Sequence, residues 1–200
     1  MYRIVLDTET AGGLDFPLVY DLGYCVINND GDIIKTRSYI IKEVYDNPQL
    51  FKTAFYKDKR NLYEERLKSK YSKKVYFAYA LRQLIKDMEK YGVDLYAYNS
   101  NFDSKAIKHT QKHFNKIKYN PLENGIIDIM DYIQVIADNE QYKKYCQKNH
   151  FLTRHKKPQP KKTAEVLYSY LINDPQYKEE HTGLEDSKIE AYILTIALNG

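Results

Sequence analysis

The sequence has no tryptophan, only two cysteines and no long hydrophobic run. Cys25 and Cys146 lack the CxxC spacing of zinc and redox motifs, so we expect two reduced thiols. The apolar runs are far shorter than a membrane span requires, which predicts no membrane partner. A strand-like segment follows Met1 directly and leaves no room for a signal peptide. These absences together predict a cytoplasmic protein.

Tyrosine is abundant, with 21 residues, and the aromatic content of 14% argues against disorder. A length of 200 residues without an internal repeat is most simply one α/β domain with a proper hydrophobic core. We therefore predict a single domain over residues 1–200.

The net charge of +4 conceals segments of opposite sign. Residues 52–74 carry +6 and residues 143–162 carry +8, whereas residues 1–51 carry −4 and residues 163–200 carry −5. Lysine and arginine hold nucleic acids by their phosphates, while metal ions neutralise carboxylates near the same polymer. The charge map favours a nucleic-acid partner, although each basic segment alone is equally consistent with a solvated surface.

Hydrophobic periodicity predicts strands and helices in mixed order. An antiparallel meander is expected at 2–6, 18–28 and 33–41, followed by short strands at 93–98 and 126–129. The predicted helices cover 61–69, 75–90, 101–115, 131–148, 163–172 and 183–198. We therefore predict an α/β fold with a mixed five-stranded sheet, a three-strand meander plus parallel strands, flanked by helices. Residues 151–162 are predicted to form a basic loop within this domain.

Asp7 and Glu9 follow an apolar segment that reads as a buried strand. Residues i and i+2 of a strand point to the same side, so both carboxylates can aim at one point if the strand continues to Glu9. Hard divalent cations such as Mg²⁺ and Mn²⁺ prefer such oxygen ligands. D-x-E pairs also occur by chance on surface strands, but a buried strand should not end in two charges that lack a partner. The pair therefore favours a metal site.

Asp103 lies at a predicted strand-to-helix junction, the usual place for sites in α/β sheets. Asn99 is expected to supply a polar contact there, and Phe102 to pack in the core or stack on a base, with core packing favoured. Ser100 to Asp103 also matches a capping box, in which Asp103 would serve only the end of the helix. The sequence leaves both roles of Asp103 open.

His181 and Asp186 flank the start of the predicted helix at 183–198. The pattern from Thr182 to Glu185 matches the S/T-x-x-E capping box and places the helix N-cap at Thr182. His181 then lies in the preceding loop and Asp186 in the first turns, where the helix dipole favours a carboxylate. The face that docks this helix is predicted to contain Leu184, Ile189, Tyr192, Ile193 and Ile196. A capped helix with an exposed His and Asp is the alternative.

Three segments, DTETAG at 7–12, YNSNFD at 98–103 and HTGLED at 181–186, resemble the exonuclease motifs of the DEDDh superfamily. These proofreading-subunit-like 3′–5′ exonucleases have a ribonuclease H-like fold. The motifs occur in the family's order and span nearly the whole chain. Residues 163–194 further resemble standalone members from bacteriophages and their bacterial hosts.

This resemblance implies a ribonuclease H-like fold and two metal ions, Mg²⁺ or Mn²⁺, in each active site. Asp7 would bridge both ions, and Glu9 and Asp186 would complete the site of the ion that holds the attacking water. Asp103 would position the second ion. His181 would be the general base that takes a proton from that water, because an imidazole titrates close to neutral pH.

The resemblance also implies contacts with the substrate, which we expect from Thr8, Thr10, Asn99, Phe102, Lys156 and Lys157. As a hypothesis, the basic loop 151–162 contacts the nucleic-acid backbone. Three positions depart from the family pattern and leave the five key positions intact. Gly183 and Ser187 stand where alanine is common, and Tyr98 stands where histidine is frequent.

The sequence therefore predicts a metal-dependent 3′–5′ exonuclease that releases nucleoside monophosphates from the 3′ end of single-stranded DNA or RNA. Three alternatives remain: an exoribonuclease for short oligonucleotides, a catalytically silent phage-type module that binds nucleic acid or a host protein, and a proofreading subunit bound to a polymerase. A silent copy usually lacks one of the five key residues, so we rank it below the enzyme. Neither the choice between DNA and RNA nor the formation of a homodimer follows from the sequence.

Overall fold

A six-stranded mixed sheet forms the centre of the computed structural model, which describes residues 1–92, 94–114, 122 and 125–199. Its strands are β1 (Arg3–Ala11), β2 (Leu18–Ile27), β3 (Ile33–Ile41), β4 (Lys73–Val75), β5 (Leu95–Ala97) and β6 (Ile127–Asp128). They are arranged in the order β4-β3-β2-β1-β5-β6. The first three strands pair antiparallel, and β4, β5 and β6 each pair parallel with a neighbour.

The predicted α/β class with a meander and parallel strands is confirmed, but the predicted strand count of five is one short. The additional strand is β4, which pairs with β3 at the edge of the sheet. It has only three residues, and two of them are the exposed Lys73 and Lys74. So short and charged a segment has no hydrophobic periodicity from which a strand can be predicted.

Nine α-helices flank the sheet within the described ranges. They are α1 (Lys42–Tyr45), α2 (Pro48–Phe51), α3 (Arg60–Lys68), α4 (Phe77–Tyr91), α5 (Ser100–Phe114), α6 (Gln134–Ala137), α7 (Glu140–Lys148), α8 (Ala164–Leu171) and α9 (Gly183–Asn199). The bounds of α3, α4, α8 and α9 lie close to the predicted ones. Val93 and Asn115, the predicted start of one strand and the predicted end of one helix, lie outside the described residues.

The helix predicted at 131–148 is wrong as a single element. A 3₁₀ turn (Ile129–Asp131), α6 and α7 occupy this part of the chain. The Asn139 side chain accepts a hydrogen bond from the Gln141 N–H at 2.7 Å and so caps the start of α7. An N-cap residue has an extended backbone, which interrupts the helical periodicity that the apolar residues on both sides share.

Two hydrophobic clusters cover the two faces of the sheet. On one face, Ile4 and Leu6 of β1 pack with α4 and α5, and on the other Val5 packs with α6, α7, α8 and α9. Because side chains alternate along a strand, Asp7 follows Val5 toward the α9 face, whereas Thr8 follows Leu6 toward α5. The alternation in β1 therefore decides which helix each polar residue at its end meets.

The predicted docking face of α9 is only partly correct. Leu184, Ile189 and Ile193 are buried, but Tyr192 and Ile196 are 43% and 36% exposed. The buried face instead includes the carboxylates Asp186 and Glu190. A search for apolar residues at helical spacing cannot identify a buried helix face that contains charged residues.

The basic loop 151–162 is fixed at both of its ends. Leu152 and Pro160 form an isolated antiparallel bridge. The Tyr142 and Tyr98 hydroxyls donate hydrogen bonds to the carbonyls of Lys161 and Lys162.

Among the described helices, none combines the length and the apolar character that would allow it to cross a membrane.

Candidate active site

Strand β1 delivers the first two carboxylates. It pairs with β2 as far as Ala11, so the strand continues past Glu9, as the D-x-E interpretation requires. Glu9 lies opposite Asp21 of β2 in the register, which adds a further carboxylate beside the pair. Asp21 is 1% exposed and accepts a hydrogen bond from the Gly183 N–H at 2.9 Å.

Asp103, in the first turn of α5, is joined directly to β1. One of its oxygens, Oδ1, accepts hydrogen bonds from the N–H of Thr8 at 3.0 Å and from its hydroxyl at 2.7 Å. Burial raises the pKa of Asp103 to about 7, against the lowering effect of the two Thr8 hydrogen bonds. Asp103 therefore faces the end of β1 and does more than cap its helix. Thr8, predicted to contact substrate, is buried and positions this carboxylate.

The start of α9 lies against the backbone of β2. A Cβ at Gly183 would lie 2.6 Å from Gly23 N and 2.9 Å from Asp7 O, and one at Gly23 would overlap the backbone of Gly183 and Leu184. Two glycines therefore allow a contact between strand and helix that carries Asp186 to β1. An alanine at position 183 would not fit this approach.

The helix begins at Gly183, as predicted, but the residues of the proposed capping box have other partners. The Thr182 hydroxyl accepts a hydrogen bond from Arg66 at 2.9 Å. The Glu185 carboxylate accepts hydrogen bonds from Tyr71 and Lys188. Both contacts tie the start of α9 to the segment around α3.

His181 lies over the same carboxylates. Its backbone has a φ of 50°, and its ring stacks on Tyr56 with 4.5 Å between ring centroids and 10° between planes. Its Nδ1 lies 3.6 Å from a Glu179 oxygen and 3.8 Å from Asp186 Oδ2. Burial, assisted by Lys59, lowers the pKa of His181. A neutral imidazole that can accept a proton is therefore favoured.

Burial raises the pKa values of the carboxylates, and their neighbours raise them further. The pKa of Asp7 lies well above its ordinary value because of burial and the adjacent charges of Glu190, Asp103 and Glu9. For Glu9, burial and Asp21 raise the pKa to about 9. For Asp186, burial and Asp21 raise it to about 7. Ionising all of these groups together requires positive charge that the described side chains supply only weakly.

The site fits divalent cations on two further observations. Asp7 Oδ2 and Asp186 Oδ1 are buried and accept no hydrogen bond from the described residues. Ligand atoms of Glu9, His181 and Asp186 all lie within 4.8 Å of one another. An ionised carboxylate only accepts hydrogen bonds, so a buried oxygen without a donor calls for a cation. Oxygen-rich sets of this kind suit Mg²⁺ and Mn²⁺.

Sequence analysis missed Asp21 and two further carboxylates of this site, Glu190 and Glu179. Glu190 is 4% exposed, accepts a hydrogen bond from the Tyr98 N–H at 3.4 Å, and has a pKa raised well above its ordinary value by burial and by Asp103. The sequence does contain a clue to Glu190, since it lies four residues after Asp186 and residues i and i+4 share a helix face. Glu179, whose pKa burial raises to about 8, follows from no local pattern.

Carboxylates of this site line two cavities. One, of about 520 Å³, is lined by Asp7, Asn99, Lys162 and Glu190 among others. The other, of about 330 Å³, lies at Glu9 and also contacts Thr10, Thr53, Phe55, Tyr56 and Phe102. Phe102 thus lines a cavity and is only partly buried, contrary to the favoured core role. Lys156 and Lys157 are exposed, and Lys162, at the end of loop 151–162, lines the cavity at Asp7.

Solved structures of nucleases share this fold, whereas no protein-family model and no curated protein sequence matches the chain. The nuclease domain of 3′hExo, a DEDDh family member bound to rAMP, matches with a TM-score of 0.60 and 14% identity over 99% of this chain and 92% of that one. Cell-death related nuclease 4 matches with a TM-score of 0.58 and 11% identity over 99% of this chain and 64% of that one.

An exonuclease I from Methylocaldum szegediense matches with a TM-score of 0.62 and 13% identity over 96% of this chain. The chain spans 39% of that protein and, as above, less than two thirds of cell-death related nuclease 4. At these identities the likeness shows the fold. The ribonuclease H-like fold implied by the three motifs is therefore confirmed.

Proposed function

We propose that the chain is a metal-dependent 3′–5′ exonuclease that hydrolyses single-stranded DNA or RNA from its 3′ end and releases nucleoside monophosphates. One observation carries this proposal. Buried oxygens of Asp7 and Asp186 accept no hydrogen bond from the described residues, and ligand atoms of Glu9, His181 and Asp186 lie within 4.8 Å of one another. In addition to burial, the charges of Glu9, Asp103 and Asp186 all act on the Asp7 carboxyl and raise its pKa. The likeness of the fold to DEDDh nucleases adds to it.

The metal ligands in this proposal are Asp7, Glu9, Asp103 and Asp186, which would hold two ions, Mg²⁺ or Mn²⁺. When bound, such ions supply the chemistry of lowering the pKa of a water and neutralising the charge of the transition state. Thr8 fixes the orientation of Asp103 through its two hydrogen bonds, and the Gly23–Gly183 contact fixes Asp186. Both fixed contacts limit the movement that would misplace a ligand oxygen.

His181 is the proposed general base. Stacking on Tyr56 holds the ring in place, and Nδ1 faces Glu179 and Asp186. The carboxylates stabilise the imidazolium that forms when the ring accepts a proton from the attacking water. The lowered pKa of His181 keeps the ring unprotonated, and therefore ready to act, at neutral pH.

The two cavities provide space for the end of a strand. We propose that the terminal nucleotide occupies the cavity at Glu9, where Phe102 offers an aromatic face to a base. Asn99 and Lys162 line the other cavity and suit contacts to phosphate or sugar oxygens.

The test is degradation of 5′- and 3′-labelled single strands of DNA and RNA with Mg²⁺, Mn²⁺ or EDTA. We expect stepwise shortening from the 3′ end that needs metal, and losses of at least about 1000-fold in Asp7→Ala and about 100-fold or more in His181→Ala. The exposed Asp138 serves as a matched control, and Asp138→Ala should retain full activity. If the folded, metal-bound protein degrades neither polymer, the site is a binding site without catalysis.

A further inference from the structure

A third cavity, of about 480 Å³, opens beside the loop that joins β1 to β2. Its lining includes Phe16 of that loop, Leu50 of α2, and His109 and Lys112 of α5. The same loop also lines the cavity at Glu9, through Gly13 and Leu14. One loop therefore lines both cavities, which makes them neighbours along residues 12–16.

This loop is held from both sides. The Gly12 N–H donates a hydrogen bond to the Thr53 hydroxyl at 2.8 Å, and the Lys105 ammonium donates one to the Leu14 carbonyl at 2.8 Å. Phe16 lies two residues after the second anchor and is 71% exposed, with its ring 6.0 Å from that of His109. An aromatic ring that is fixed by its backbone yet largely exposed offers a stacking face at little entropic cost.

The exposed charge of α5 is all positive. Lys105, Lys108 and Lys112 are exposed, and they follow the i, i+3, i+7 spacing that puts side chains on one helix face. The helix has one acidic residue, Asp103, which is buried in the active site. The lysines therefore line a surface that attracts phosphates and carries no acidic residue of its own helix.

We propose that this surface, formed by Phe16, His109, Lys108 and Lys112, binds the part of a single strand that lies 5′ of the reacting nucleotide. A base stacks on Phe16 while the lysines contact the phosphates, the combination that proteins use for unpaired nucleic acid without sequence preference. The proposal rests on the proposed nuclease function and specifies its substrate. The preferred substrate is a single strand of several nucleotides rather than a dinucleotide.

The length of the lysine row on α5 determines how many nucleotides this surface can contact. Seven helical residues separate Lys105 from Lys112, which is roughly 10 Å at about 1.5 Å per residue. At about 3.4 Å per nucleotide along one strand this distance corresponds to roughly three nucleotides. With its terminal nucleotide in the cavity at Glu9, a dinucleotide has at most one nucleotide left for this surface, whereas a strand of eight is long enough to cover it.

The experiment compares Phe16→Ala and Lys112→Ala with two controls, Tyr192→Ala and Lys86→Ala, which remove an exposed aromatic and an exposed lysine elsewhere on the described surface. Fluorescence anisotropy with EDTA measures binding of single strands of two, four, eight and twelve nucleotides without cleavage. Turnover of the same strands is measured with Mn²⁺.

We expect Phe16→Ala to weaken binding of the twelve-nucleotide strand at least about fivefold and to leave the dinucleotide unchanged. Lys112→Ala should reduce the slope of log K against log salt by about 0.7 for the long strand. Equal losses at both lengths, or none at either, would overturn the proposal. Length-dependent binding without turnover of any strand would instead contradict the nuclease function and leave this surface intact.

Discussion

Burial and neighbouring negative charge both raise the pKa of Asp7, because both disfavour the ionised carboxylate. The same holds for Glu9, whose pKa rises to about 9, and for Asp103 and Asp186, whose values rise to about 7. A raised pKa means that the folded chain binds these protons more tightly than the unfolded chain. Its contribution to stability is therefore favourable at low pH and is lost as the pH rises.

The metal-free chain should accordingly become less stable between about pH 4, where the unfolded carboxylates ionise, and about pH 9. We expect the Tm to fall by roughly 5 °C or more over this range, since about 1 kcal/mol shifts the Tm of a chain of this size by about 2–4 °C. Mn²⁺ or Mg²⁺ should abolish most of the fall, because the ions bind the ionised form. Calorimetry with and without EDTA measures this, and a metal-free Tm that rises from pH 6 to 9 would contradict it.

Glu190 provides a second test at the residue scale. Among the neighbouring carboxylates it raises the pKa of Asp7 most, although it was not part of the predicted site. Glu190→Gln removes the charge and keeps the shape, so the metal-free protein should gain several degrees in Tm at pH 8. The affinity for Mn²⁺ should fall about tenfold, which corresponds to about 1.4 kcal/mol of lost attraction. Calorimetric titration provides the affinity. A lower metal-free Tm in Glu190→Gln would contradict the inferred repulsion between Glu190 and Asp7.

The residues that sequence analysis placed in the site share one property. Asp7 and Glu9, Asp103, and His181 and Asp186 each lie in a short segment whose pattern indicates both the local structure and the chemistry. Asp21 reaches the site through the pairing of β2 with β1, and Glu179 through the loop before His181, and no local pattern marks either position as part of a site. Phe102 was assigned to the core because an aromatic residue at helical spacing usually packs there.

At the scale of elements, the contact between β2 and α9 positions Asp186, one of the proposed metal ligands. Gly23 and Gly183 touch through their backbones, and the Gly183 N–H bonds to Asp21. Asp186 follows one turn later, so its position depends on this contact. Sequence analysis predicted where α9 begins but not this approach, because the two glycines are far apart in the chain.

Gly23→Ala should therefore damage stability and metal binding together. The added methyl overlaps the backbone of Gly183 and Leu184, and backbone can yield only by moving the helix start away from the sheet. We expect a loss of about 1–3 kcal/mol or more in unfolding free energy and a marked loss of Mn²⁺ affinity.

The matched control is Ile193→Ala, which leaves a cavity under the same helix and costs about 2–5 kcal/mol without moving its start. That variant should retain the Mn²⁺ affinity of the folded protein. If both variants keep full affinity, the glycine contact does not position Asp186.

Over the whole molecule, charge is divided between an acidic site and two basic regions that approach it. The segment 52–74 contributes Tyr56 and Lys59 to the surroundings of His181, and the region 143–162 ends at Lys162 beside Asp7. The charge map along the sequence indicated this division, but not which lysine reaches the site. Tyr98 fixes that choice, because its hydroxyl bonds to the Lys162 carbonyl.

Loop 151–162 therefore offers two kinds of lysine with different expected effects. Lys162 lines the cavity of Asp7, so Lys162→Ala should lower kcat/KM for strands of every length. Lys156 and Lys157 are exposed on the loop, so the double change to glutamate should weaken binding of long strands and reduce the salt slope by at least about 1.4, since each lost phosphate contact contributes about 0.7. Anisotropy titrations between low and high salt measure the slope. An unchanged slope and affinity in the double variant would show that nucleic acid does not contact the exposed part of the loop, and that substrate contacts from this region are confined to Lys162.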